Sequence, residues 1–303
     1  MSRADETPGV TSTTPQDRRR RWRTAAAALV LVLAGPVVVA AEPTPSLEQP
    51  AIAAATAERD VAWNSTATCD VDTTEALAAR HPEVRQFVLV LTDGWADSHA
   101  TVEVAVRDAG GTWRCQRAAM AGRVGRAGTR PLAERRSGDG TAPAGVFPLG
   151  STTAWDGQQF EFFGNRSDPG VRGRYRDVQP EDCWGATPHD PDYQKLVDRP
   201  GCPGPDDEWL PRFGDVYSHA AVIGANLDPV SGDAPGEPAL AAAIFLHRHS
   251  YDGPDDDGSG ASRPTSGCVS LAMGDLVATL RLIDPALNPH FAIGPVDWLR
   301  SEE

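Results

Sequence analysis

Two short stretches carry the residue types for covalent chemistry. RPTSGCVSL, residues 263–271, sets Cys268 between a glycine and a short apolar run. AIFLHRHS, residues 243–250, places His247 and His249 at the end of an apolar run upstream. A thiol with an imidazole base in reach is the pairing that cysteine acyl transfer needs. Gly267 suits a turn in which main chain must come close to a substrate. Strand alternation sets His247 and His249 on one face if the strand runs that far. The same side chains could instead bind zinc, with Asp252 or Asp257 completing the set, but no second close Cys or His pair has the usual spacing. The acidic PDDDGSG of residues 254–260 lacks the twelve-residue calcium-loop spacing with a terminal Glu and reads as a solvated loop. Taken alone, two histidines where a strand meets solvent are more often ordinary polar residues.

The cysteine count sharpens the choice. There are five, Cys69, Cys115, Cys183, Cys202 and Cys268. An odd thiol in an exported chain marks a free, reactive candidate. With Cys268 set aside, the other four allow three pairings. The local ones, Cys183–Cys202 and Cys69–Cys115, are favoured, because the first closes a Pro-, Gly- and Asp-rich loop with little apolar content of its own.

Elements must hold these residues in place. RQFVLVLTD (residues 85–93) and HATVEVAVRD (99–108) are β-rich, and the second alternates. AGGT turns the chain into TWRCQRAAM. Glycine-rich segments follow, including GDGTAPAGVFPLG (138–150). Residues 167–214 show little periodicity and read as a crosslinked loop region or the wall of a site. Strand patterns return at 216–226 and 239–250. Leu271, Leu276, Leu280 and Ile283 then fall at helical spacing, which predicts a helix with Ser270 as its N-cap. That helix start would favour an anion nearby and promote the Cys268 thiolate. An earlier short helix is expected over 72–80, capped by Asp72 or Thr73, and a last strand over 291–296.

Three ordered segments together resemble the L,D-transpeptidase (YkuD) catalytic domain, in particular an exported actinobacterial branch. They are the Gly-Asp-Gly segment GDGTAPAGVFPLG, the histidine at a strand end in AIFLHRHS, and the Ser-Gly-Cys turn of PTSGCVSL. RAAMAGRVGRAG, DCWGATPHDPDY and VYSHAAVIGAN extend the likeness over roughly residues 85–298. The resemblance implies a mainly β, sandwich- or barrel-like catalytic domain with a helix after the catalytic cysteine. It implies that Cys268 attacks the stem peptide of peptidoglycan before the terminal D-residue. His247, oriented by a backbone carbonyl, would take the thiol proton and later protonate the leaving amine. The Cys268 N–H, with that of Gly267 or a neighbour, would hold the oxyanion. An amine would resolve the acyl-enzyme to a crosslink in the cell wall; water would make the enzyme a carboxypeptidase. Tyr193, Tyr217, Asn226, Arg248 and His249 are placed along the substrate cleft. Such a protein works as a monomer, without cofactor or metal. Two positions depart from the pattern: Ser266 stands where many members have His, and Ser270 where many have Arg or Asn. Ser266 can donate a hydrogen bond but supplies no cation. A wall-binding module of the same fold without turnover is the competing reading.

Charge and length frame this. The chain has 303 residues, 40% of them hydrophobic, and a formal net charge of −14. Residues 1–41 hold six Arg against three acids, a net of +3, so the remainder carries −17. Such a body repels nucleic acid and anionic lipid. RRRRWR (18–23) followed by TAAAALVLVLAGPVVVAA (24–41) reads as a secretory signal, or as a membrane anchor if it stays uncut. The domain plan expected is therefore signal or anchor 1–41, linker 42–60, N-terminal extension 61–84 and catalytic domain 85–298.

Overall fold

The computed structural model describes residues 68–198, 202, 204, 206–227, 239–253 and 260–301. The signal segment, the linker, Asp257 and most of the acidic loop lie outside the described residues. What is described is mainly β. Its strands are β1 (Gln86–Thr92), β2 (His99–Arg107), β3 (Trp113–Arg123), β4 (Thr129–Pro131), β5 (Ala142–Pro148), β6 (Thr152–Thr153), β7 (Gln159–Phe160), β8 (Phe162–Gly164), β9 (Tyr175–Asp177), β10 (Asp182–Trp184), β11 (Leu196–Asp198), β12 (Glu208–Trp209), β13 (Ala220–Val222), β14 (Phe245–Arg248), β15 (Val269–Leu271) and β16 (Pro289–Pro295). Three helices accompany them, α1 (Val71–Arg80), α2 (Met273–Leu282) and α3 (Val296–Ser301).

Eleven strands form one mixed sheet in the order β4-β5-β16-β1-β2-β3-β15-β14-β13-β8-β9. β1 is buried on both faces, as the unbroken run QFVLVLT requires. Alternation sends Phe87, Leu89 and Leu91 into a layer with Leu77 of α1 and Leu299 of α3. Val88 and Val90 face the opposite way, toward Val102, Val104, Phe291 and, from α2, Leu276 and Leu280. A second core is largely aromatic: Phe160, Phe163, Trp184, Tyr217 and Phe245 pack edge-on or stacked around the β13–β14 end of the sheet. β10, β11 and β12 make a small antiparallel sheet, in the order β11-β10-β12, beside it.

Both favoured disulfides are present, Cys69–Cys115 and Cys183–Cys202, with Cα atoms 5.2 and 5.6 Å apart. Cys268 is the free cysteine. The second bridge closes a stretch of short strands, and a loop of that length is stabilised by roughly 3 kcal/mol.

Several boundaries differ from the sequence reading. α1 begins at Val71 with Asp70 as its N-cap, not Asp72 or Thr73. The Asp70 carboxylate accepts the Thr73 N–H at 3.0 Å and is held by both Arg300 contacts, at 2.9 and 2.8 Å, so a distant residue fixes the helix start. This helix and Cys69 tie the expected extension into the main layer. Ser270 does not cap α2. It sits inside β15, fully buried, with its hydroxyl 2.8 Å from His249 Nδ1. α2 starts at Met273 behind Ala272, without a side-chain cap. The strand expected over 216–226 shrinks to β13, and the one over 239–250 to β14.

Candidate active site

Cys268 lies at the floor of a cleft of about 520 Å³, lined by Arg135, His189, Asp206, Glu208, Ser266 and Gly267 among others. β14 and β15 run parallel, with Leu246 opposite Val269 and His247 opposite Ser270. Cys268 therefore enters the sheet just ahead of β15. The turn before it is tied by Thr265. Its hydroxyl donates to the Cys268 carbonyl at 2.6 Å and accepts the Gly267 N–H at 3.1 Å. The Gly267 N–H is thus occupied by Thr265 and does not face the cleft as an oxyanion donor in this state. Glycine is needed here because of close approach: a Cβ on Gly267 would stand 3.1 Å from the Thr141 carbonyl and 3.4 Å from Arg135 Nη2.

The thiol is half-buried and bonded to main chain. Sγ–H donates to the Ala243 carbonyl at 3.3 Å, and Sγ accepts the Phe245 N–H at 3.4 Å. Burial pushes the thiol up to about 12; Glu208 adds to the rise, and the Phe245 N–H and Arg135 oppose it. The expected depression by a helix start does not occur. α2 begins five residues later, beyond the first-turn range over which a helix end acts.

His247 is buried, with Nδ1 2.6 Å from the Arg248 carbonyl. A carbonyl only accepts, so Nδ1 carries the hydrogen and Nε2 keeps the basic lone pair. Burial lowers the imidazole to about 4, so it is neutral at pH 7. Its ring meets Tyr217 edge-on at 5.4 Å between centroids. His247 lies two residues along β14 from Phe245, whose N–H touches Sγ, a rise of about 6.6 Å. At rest the thiol is protonated and the imidazole, on the neighbouring strand and outside the cleft lining, is neutral, each held by main chain. The two do not form an ion pair.

The remaining candidates separate into two groups. Ser266 is exposed and lines the cleft with Gly267 and Cys268. His247, Tyr193, Asn226, Tyr217, Arg248 and His249 are not among the lining residues. Tyr193 and Asn226 lie beneath the cleft instead. The Tyr193 hydroxyl donates to Ala241 O at 2.7 Å, and Asn226 Nδ2 donates to the Tyr193 hydroxyl and to Ala241 O, each at 3.0 Å. Gln194 completes the set. Its Oε1 accepts from Trp184 Nε1 and the Ala243 N–H, and its Nε2 donates to the Asn226 and Ala241 carbonyls. This network holds Ala243 at φ +52°, a left-handed conformation that an alanine rarely adopts. The Ala243 carbonyl so aimed receives the thiol hydrogen. Arg248 stacks over Tyr251 at 5.2 Å, and His249 bonds Ser270.

Two lining residues had no sequence signal. Arg135 is 1% exposed. It donates through Nη2 to Thr141 O at 3.0 Å and through Nη1 to Leu240 O. Its Nε has no partner, and Asp139 stands 4.0 Å away. The Gly-Asp-Gly turn holds it there: Asp139 accepts the Arg136 and Thr141 N–H groups, and Gly138 and Gly140 take φ +87° and +83°. A buried guanidinium thus stands behind the Ser266–Gly267–Cys268 turn, on the side where the sequence offered no cation. Glu208 stands in GPDDEW (204–209), within the 167–214 segment read as a crosslinked loop region or the wall of a site. It is half-buried, accepts a 2.7 Å bond from the Tyr217 hydroxyl, and burial pushes it up to about 7.

Among the described residues no group of three His, Cys, Asp or Glu side chains could hold a metal ion. No protein-family model matches the chain, and no curated protein or solved structure matches it either.

Proposed function

We propose that the chain is an exported cysteine acyltransferase of the L,D-transpeptidase type, acting on peptidoglycan stem peptides. The observation that carries this reading is the one unpaired cysteine, half-exposed on a glycine turn at the floor of a cleft, one strand from a buried neutral histidine. The three ordered sequence segments point to the same chemistry. The two disulfides fit an oxidising compartment. No helix among the described residues is long and apolar enough to cross a membrane.

In this reading the thiol attacks the carbonyl before the terminal D-residue. Because the thiol is protonated at rest, sulfur attack and proton transfer to His247 Nε2 are coupled rather than sequential. His247 then protonates the leaving amine. The Cys268 N–H and the Arg135 charge favour the developing oxyanion. A second substrate amine, or water, releases the acyl group.

The test is to incubate the protein with disaccharide-tetrapeptide and follow loss of the terminal D-residue by mass spectrometry, alongside a carbapenem adduct on Cys268. Cys268→Ala should abolish both, and His247→Ala should lower acylation by about 10²-fold or more. Binding of stem peptide without product or adduct would instead favour a wall-binding module without turnover.

A further inference from the structure

We propose that Glu208 is a second acid–base residue of the cleft, accepting the proton from the amine that attacks the Cys268 acyl-enzyme. The proposal rests on the acyltransfer reading and adds to it the group that activates the acceptor amine.

Glu208 and Cys268 line the same cleft. One carboxylate oxygen of Glu208 is held by the Tyr217 hydroxyl at 2.7 Å, which orients the group. Among the described residues Glu208 forms no ion pair. The charged and titratable groups that line the cleft with it are Asp206, His189, Arg135 and Cys268. On the strand paired with β12, Asp182 is committed to Arg176 through bonds of 2.9 and 2.8 Å. Behind the Tyr217 ring stands His247. His247 does not line the cleft, and its Nδ1 is fixed on a carbonyl. Glu208 is therefore the carboxylate placed to meet an incoming group. Its displacement toward neutrality suits proton exchange near pH 7. An acidic wall of Asp206 and Glu208 attracts an ammonium and repels carboxylates, which selects an amine acceptor.

The step balances without another reactant. The amine nitrogen bonds to the thioester carbonyl carbon and the C–S bond breaks. One N–H proton passes to Glu208, and Glu208 returns it to the departing thiolate. Thioester and amine become amide and thiol.

The experiment uses the full chain and does not depend on peptidoglycan. Cys268 is acetylated with p-nitrophenyl acetate, the site of the adduct is confirmed by mass spectrometry, and aminolysis by glycinamide is followed from pH 5 to 9. With rates expressed per free glycinamide base, the wild type should show a rate rising through an inflection close to pH 7. Glu208→Gln should lose that inflection and slow aminolysis by about 10²-fold. The same variant should be alkylated faster by iodoacetamide at fixed pH, since a negative charge facing the thiolate is gone. A merely structural role would not slow transfer while quickening alkylation. Tyr217→Phe removes the bond that stabilises the carboxylate and should move the inflection upward. Unchanged aminolysis and alkylation profiles in Glu208→Gln, or an inflection unmoved in Tyr217→Phe, overturn the proposal. Acetyl transfer with a normal Glu208 signature but no reaction on disaccharide-tetrapeptide sinks the peptidoglycan reading alone.

Discussion

The two halves of the main sheet, its apolar and polar ends, are built on different physics. Around β1, β2 and β16 the strands are long, apolar and regular, and the helices α1 and α3 close one face. Around β13, β14 and β15 the strands have three or four residues, and polar groups hold the backbone: Gln194 with all its groups used, Asn226, Tyr193 and the Cys183–Cys202 bridge. The first end supplies rigidity through area removed from water. The second keeps a left-handed alanine, a half-exposed thiol and a buried guanidinium in one place, and area alone does not select such a geometry.

The sharpest way to break this contrast is a matched pair of truncations. Phe87→Ala and Phe245→Ala each remove a fully buried ring and should each lose about 3–5 kcal/mol in urea unfolding. Phe245→Ala should also change the rate of Cys268 alkylation, because the ring anchors the strand residue whose backbone N–H bonds the sulfur; Phe87→Ala should leave it alone. Equal effects on the thiol would erase the distinction between the two ends.

Gln194→Leu tests the polar end directly. It strands the Ala243 N–H and the Trp184 indole N–H, about 1–3 kcal/mol for each group. Thiol reactivity should move with it, since the Ala243 carbonyl loses its fixed aim. A stability loss with unchanged alkylation would detach this network from the site.

Titration separates the ends further. Glu208 is raised from 4.5 to about 7, so the folded state holds its proton more tightly than the unfolded chain. Its contribution is complete below pH 4.5 and is lost as pH rises through 7, up to roughly 3 kcal/mol. His247 is lowered to about 4, so its contribution is complete above pH 6.5 and is lost as pH falls toward 4. The two offset each other between pH 4.5 and 6.5. In Glu208→Gln the loss between pH 4.5 and 7 should vanish, leaving the acid-side fall from His247 unopposed, read as melting temperature against pH. The smallest effect belongs to the apolar end: Asp70→Ala removes the α1 cap and should lose about 1 kcal/mol without touching the cleft.

Some of this molecule is written in local pattern. The runs at 85–93 and 99–108 read as strands because one period governs both their hydrophobicity and their pairing. The free cysteine follows from an odd count in a chain whose N-terminus reads as an export segment, and the local disulfide pairing follows from loop composition. His247 and Cys268 stand out by residue type. Other features were illegible because they depend on residues distant in the chain. Ser270 looks like a helix cap, yet a histidine 21 residues upstream draws it into a strand. Asp70 becomes a cap because Arg300, 230 residues away, fixes its carboxylate. Tyr193 and Asn226 resemble cleft residues and turn out to brace the segment beneath the thiol. Arg135 and Glu208 carry no motif at all. Sequence by itself determined which groups could react. Only the tertiary structure decided their ionisation and their neighbours, because burial and long-range hydrogen bonds set both, and neither has a period along the chain.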